Sequence, residues 1–81
     1  MISEYVHLAL ERAHYEILAD DNTYYGEIKL FPGVWANAKT LEDCRNELAE
    51  TLEEWILLRL RTGKKIPSLK GIDLEIHKKA A

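Results

Sequence analysis

The chain has 81 residues, 47% of them apolar and 31% charged, which fits one soluble globular domain over 1–81 and argues against disorder. Eleven basic residues against 14 acidic ones leave a net charge of −3, which disfavours a strongly electropositive nucleic-acid binder. The single cysteine, Cys44, excludes an internal disulfide and fits a reducing cytoplasm, and the longest run of large apolar residues, Trp55 to Leu58, is too short for a membrane span or a signal-peptide core.

Taken in chain order, the first element is a short helix. Ser3 is placed to cap it and Glu4 suits its first turn. Val6, Ala9, Leu10 and Ala13 recur at helical spacing, giving one apolar stripe. From His14 the period changes to alternation, with Tyr15, Ile17 and Ala19 interleaved by Glu16 and Leu18, which predicts a strand. Asp20-Asp21-Asn22 then makes a turn, because Asp and Asn bond their own backbone and tolerate left-handed geometry. In the second strand Tyr24, Gly26, Ile28 and Leu30 face one way, and Thr23, Tyr25, Glu27 and Lys29 the other. The two strands form a hairpin.

Pro32-Gly33 punctuates the chain before a third strand, Val34 to Ala38. Val34 and Ala36 match the inward face and Trp35 the opposite one. Thr40 then caps a long helix that opens on Leu41-Glu42-Asp43, with carboxylates at the positive helix end. Leu41, Cys44, Leu48, Leu52 and Trp55 keep helical spacing until Gly63, with Arg59 and Arg61 in the last turn. About 22 residues of helix span about 33 Å. Trp55, Ile56, Leu57, Leu58 and Leu60 cannot share one stripe, so this end is expected to be covered from more than one side. These five residues are the candidate oligomer interface. After a loop through Pro67, Ser68 and Gly71, alternation in Ile72, Leu74 and Ile76 predicts a fourth strand. The fold class is α+β, a two-layer α-β-β-β-α-β domain with an antiparallel meander plus a fourth strand.

Over 14–67 the chain resembles the HicB-like antitoxin family. The resemblance lies in Tyr24-Tyr25-Gly26-Glu27, Leu30-Phe31-Pro32-Gly33 and Thr40-Leu41-Glu42-Asp43-Cys44. A long helix carrying Leu48, Leu52 and Trp55 follows, then Ile66-Pro67. Ala38 stands where the family usually has Gly, and Glu42-Asp43-Cys44 where it usually has two Glu and Ala. The resemblance implies a truncated ribonuclease H-like fold without catalysis, in a cytoplasmic protein that forms a dimer or tetramer. It also implies a partner, a small basic HicA-type toxin that cleaves messenger RNA and is neutralised when its catalytic face is covered. Little chain follows the fourth strand, so the family's C-terminal DNA-binding segment, and direct DNA binding with it, is not expected here.

An acidic protein is steered towards a basic nuclease. The candidate toxin-binding residues are Asp20, Asp21, Tyr24, Tyr25, Glu27 and Trp35, with Glu42 and Asp43 as further acids and the aromatics as anchors. No catalytic or metal site and no cofactor are expected. Asp20, Glu27 and Asp73 are the strand carboxylates a metal nuclease would need, but Asp20 sits at a turn and Glu27 shares its outer face with Lys29. His7, His14 and His77 lack metal-ligand spacing, and Cys44 reads as core packing. The alternatives are an orphan oligomeric scaffold and a double-stranded-RNA-binding domain, whose element order is similar. The latter needs basic residues where Glu42 and Asp43 begin the long helix.

Overall fold

The computed structural model describes residues 2–69 and 71. Five elements follow one another: α1 (Ile2–Leu10), β1 (His14–Leu18), β2 (Thr23–Glu27), β3 (Trp35–Ala38) and α2 (Leu41–Thr62). The strands form one antiparallel meander in the order β1-β2-β3. The expected fourth strand lies outside the described residues, and Asp73 and His77 with it.

Local chemistry sets most boundaries. At the β1–β2 turn Asn22 adopts φ 57°, and its N–H donates to the Leu18 carbonyl at 2.9 Å. The Asp21 carboxylate accepts from the Thr23 N–H at 3.1 Å and the Thr23 hydroxyl at 2.7 Å, closing the turn onto β2. Those bonds hold the Asp21 carboxyl below its ordinary range. Thr40 is extended and its hydroxyl oxygen accepts from the Asp43 N–H at 3.0 Å, the expected cap of α2. Gly63 ends that helix in the left-handed region at φ 71°, with the Lys64 N–H bonded back to the Arg59 carbonyl at 3.0 Å. Ala38 lies in β3 outside the positive-φ region, so a residue other than glycine carries no strain there.

Two boundaries differ from expectation. Ser3 lies inside the first turn of α1, because the helix already begins at Ile2. The second strand ends at Glu27 rather than continuing to Leu30. Two successive tight turns follow, with the Phe31 N–H donating to Ile28 and the Val34 N–H to Phe31, each at 3.0 Å. They break the alternation, so Leu30 turns out to solvent and Phe31 takes the buried place.

The core lies where α2 crosses the inner face of β2 and β3, with α1 packed alongside. From α2 it takes Cys44, Leu48, Leu52 and Ile56, each four residues from the last and so on one helical stripe. Tyr5, Val6 and Ala9 of α1 are buried with them, as are Ile28, Phe31 and Val34 from the turns. Tyr5 reconciles a buried ring with a polar tip: its edge meets Phe31, and its hydroxyl donates to the Pro67 carbonyl. Cys44 fills the space opposite β2 and is fully buried. Its Sγ lies 3.7 Å from the Ala36 carbonyl, and burial, with Glu47 adding, pushes the thiol up from its ordinary value. Ile17 shares the inner side of β1 with Tyr15 but is 61% exposed, since α2 lies over β2 and β3 rather than β1.

Candidate functional site

The outer face of the sheet has no helix of the described residues packed on it, and strand alternation decides which side chains stand there. On β1 these are His14, Glu16 and Leu18, on β2 Thr23, Tyr25 and Glu27, and on β3 Trp35 and Asn37. The register places Glu16 opposite Tyr25, and Glu27 between His14 and Trp35. Tyr25 and Trp35 are therefore diagonal neighbours across β2 and β3. Their rings stack at 6.0 Å with 24° between planes, and Trp35 remains 54% exposed. Partial burial raises the Tyr25 phenol above its ordinary value, with the carboxylates of Glu27 and Glu16 adding in the same direction. The result is an aromatic pair with both acids on its β1 side and Asn37 on the other. Lys29 joins it at the rim, where a recess of about 270 Å³ opens beside His14, Glu16, Tyr25 and Glu27.

Of the six candidate binding residues, the fold brings Tyr25, Glu27 and Trp35 together on this face. Tyr24 has the opposite parity and packs half-buried against the core, which removes it from the group. Asp20 and Asp21 stand at the β1–β2 turn, at the other end of the hairpin from Glu27. The start of α2, with Glu42 and Asp43, lies towards that same end, since Tyr24 pairs with Ala38. The acids thus divide into a turn-end group and an outer-face group. Glu16 belongs to the outer face although sequence reasoning did not single it out. Its signal was present in the same alternation that placed Tyr25 and Glu27.

The candidate oligomer residues divide as well. Ile56 is fully buried in the chain's own core, so it is not available at the surface. Trp55 is half-buried edge-on against Phe31 at 5.2 Å, with the Arg59 guanidinium 4.6 Å from its ring centroid. Leu60 packs partly against the core. Leu57 and Leu58 are 53% and 60% exposed and form the apolar ridge of this helix end.

Among the described residues no three His, Cys, Asp or Glu side chains are grouped to hold a metal ion. Asp20 and Glu27 are separated by the length of β2, about 13 Å or more at strand rise. Nor is any helix among the described residues long and apolar enough to cross a membrane.

A helix-backed antiparallel meander with an open aromatic and acidic face defines a small α+β domain. The chain belongs to the UPF0150-like family, whose pattern it matches over residues 4–67. Its fold is also similar to the crystal structure of TTHA0281 from Thermus thermophilus. That chain is 40% identical, with 95% of each chain covered and a TM-score of 0.85. No match was found among curated proteins.

Proposed function

We propose that this chain is a HicB-like antitoxin, a non-catalytic cytoplasmic protein with a truncated ribonuclease H-like fold that binds and neutralises a small basic HicA-type mRNA-cleaving toxin. The observation that carries the reading is the Tyr25–Trp35 stack on the open sheet face, with Trp35 exposed and Glu16 and Glu27 beside it. A stacked aromatic pair supplies a hot-spot anchor, and neighbouring carboxylates steer a basic partner and repel RNA. Membership of the UPF0150-like family, a family associated with toxin–antitoxin systems, supports the same reading. The double-stranded-RNA alternative is disfavoured because Glu42 and Asp43 stand exposed in the first turn of α2. The Leu57 and Leu58 ridge supports self-association as a dimer or tetramer.

The test is co-expression with the small basic protein encoded beside this gene. The reading predicts that the neighbour alone arrests growth and degrades messenger RNA. Adding this chain is predicted to restore both and yield a stable complex. A neighbour that is harmless and does not co-purify would remove the antitoxin assignment.

A further inference from the structure

Among the described residues the third strand lies at the edge of the sheet, and the side turned away from β2 faces a row of carboxylates. The β2–β3 register, continued past Glu27 and Trp35, sets Ile28 opposite Val34, and the Ile28 N–H donates to the Val34 carbonyl at 3.4 Å. Bonded pairs alternate in an antiparallel ladder. The pairs that bond across β2 and β3 are therefore Gly26 with Ala36 and Tyr24 with Ala38. The N–H and C=O groups of Trp35 and Asn37 consequently point away from β2. No other described strand pairs with them.

Beside this edge runs a groove of about 440 Å³, with β3 as its floor and Glu47, Glu50 and Glu54 of α2 along one wall. A second recess continues it past Ala38, sharing Glu47 and Glu50 and adding Asp43 and Lys39. Four carboxylates thus line the edge against one ammonium, and none of the four has a salt-bridge partner among the described residues. Trp35 forms the opposite rim.

We infer that the β3 edge accepts an extended, arginine- or lysine-rich segment of a partner protein as an added strand. The backbone of Trp35 and Asn37 would supply the ladder bonds. Side chains of an added strand alternate between the two faces. One set reaches the glutamates of α2, which selects cations, and the other lies beside the Trp35 ring, where a guanidinium stacks well. Charge also decides against a second copy of this chain. Pairing β3 with β3 would bring two rows of Glu47, Glu50 and Glu54 side by side, and like charges so placed repel. Nucleic acid is disfavoured for the same reason. The edge shares Trp35 with the outer face, but its glutamates belong to α2, and the peptide test reads this inference apart from the toxin reading.

The probe is a short fluorescein-labelled peptide alternating arginine and threonine, titrated into the full-length chain and followed by polarisation. Saturable binding is expected, weakening about tenfold in the Glu47→Gln/Glu50→Gln/Glu54→Gln variant and falling as salt rises from about 0.05 to about 0.15 M. Methylating alternate backbone nitrogens of the peptide is expected to abolish binding to the wild-type chain. The peptide is also expected to slow hydrogen exchange at the Trp35 and Asn37 amides. Failure to bind, equal binding of the methylated peptide, or unchanged exchange at those amides would overturn the inference. So would a peptide-free chain, monomer or dimer, with both amides already protected.

Discussion

Tyr25 and Trp35 stack diagonally across two strands, their centroids 6.0 Å apart, on a face that no described helix covers. The two rings are already packed on one another before any partner arrives. Removing Trp35 should separate binding from folding. The stack itself stabilises by about 0.5–1.5 kcal/mol. An exposed anchor at the centre of an interface contributes about 2 kcal/mol or more to binding. Trp35→Ala is therefore expected to lower thermal stability only slightly while weakening binding of the proposed toxin partner roughly thirtyfold. Melting curves and a binding titration on the same sample check both.

Gly26 is fixed by what lies over it. A Cβ there would fall 2.8 Å from the Tyr15 ring and 3.1 Å from the Cys44 sulfur. The ring is anchored on β1 and the thiol is buried on α2, so relief requires moving strand and helix apart. Gly26→Ala is expected to destabilise the chain by about 1–3 kcal/mol, the usual cost of overpacking a filled core. Urea denaturation measures it.

The Thr40 hydroxyl satisfies the Asp43 N–H at the start of α2, and this helix carries the largest share of the core. Thr40→Ala should cost about 1 kcal/mol, and Thr40→Asn or Thr40→Ser should retain most of that. Equal midpoints for all of these variants in urea would show that the cap is not contributing.

Cys44 should respond to pH in a defined direction. Burial raises its folded pKa, first by desolvation and then through Glu47. The unfolded thiol, with an ordinary value near 9.0, ionises first as pH rises. Its contribution is fully present below that value and is lost as pH climbs through the higher folded pKa. Native protein should therefore resist iodoacetamide at pH about 8, and react only as urea opens the core. Rapid labelling of the folded chain would contradict this placement.

The sequence carried most of α2, because both ends are written in local chemistry: a Thr hydroxyl bonding three residues ahead, and a Gly taking left-handed backbone. It carried the hairpin for the same reason, through Asp21 and Asn22. Alternation also separated Tyr25 and Glu27 from Tyr24. What it missed depends on contacts between distant parts of the chain. Phe31 displaces Leu30 from the core because two tight turns reset the strand parity, which no periodicity records. Tyr5 is buried because Pro67 returns to accept its hydroxyl. Ile56 belongs inside and Leu57 outside because of where the α2 stripe meets the turn at Phe31, not because of their own hydropathy.

The proposed toxin partner is expected to dock on the outer sheet face rather than on α2. The most direct test is calorimetric titration of the co-encoded basic protein into the wild-type chain and into Glu16→Lys/Glu27→Lys. Both positions are on the outer face and outside the core, so folding is expected to survive. The account predicts a saturating complex for wild type. For the charge-reversed variant it predicts at least about tenfold weaker binding, with little change in melting temperature. Equal affinities for the two proteins would contradict it.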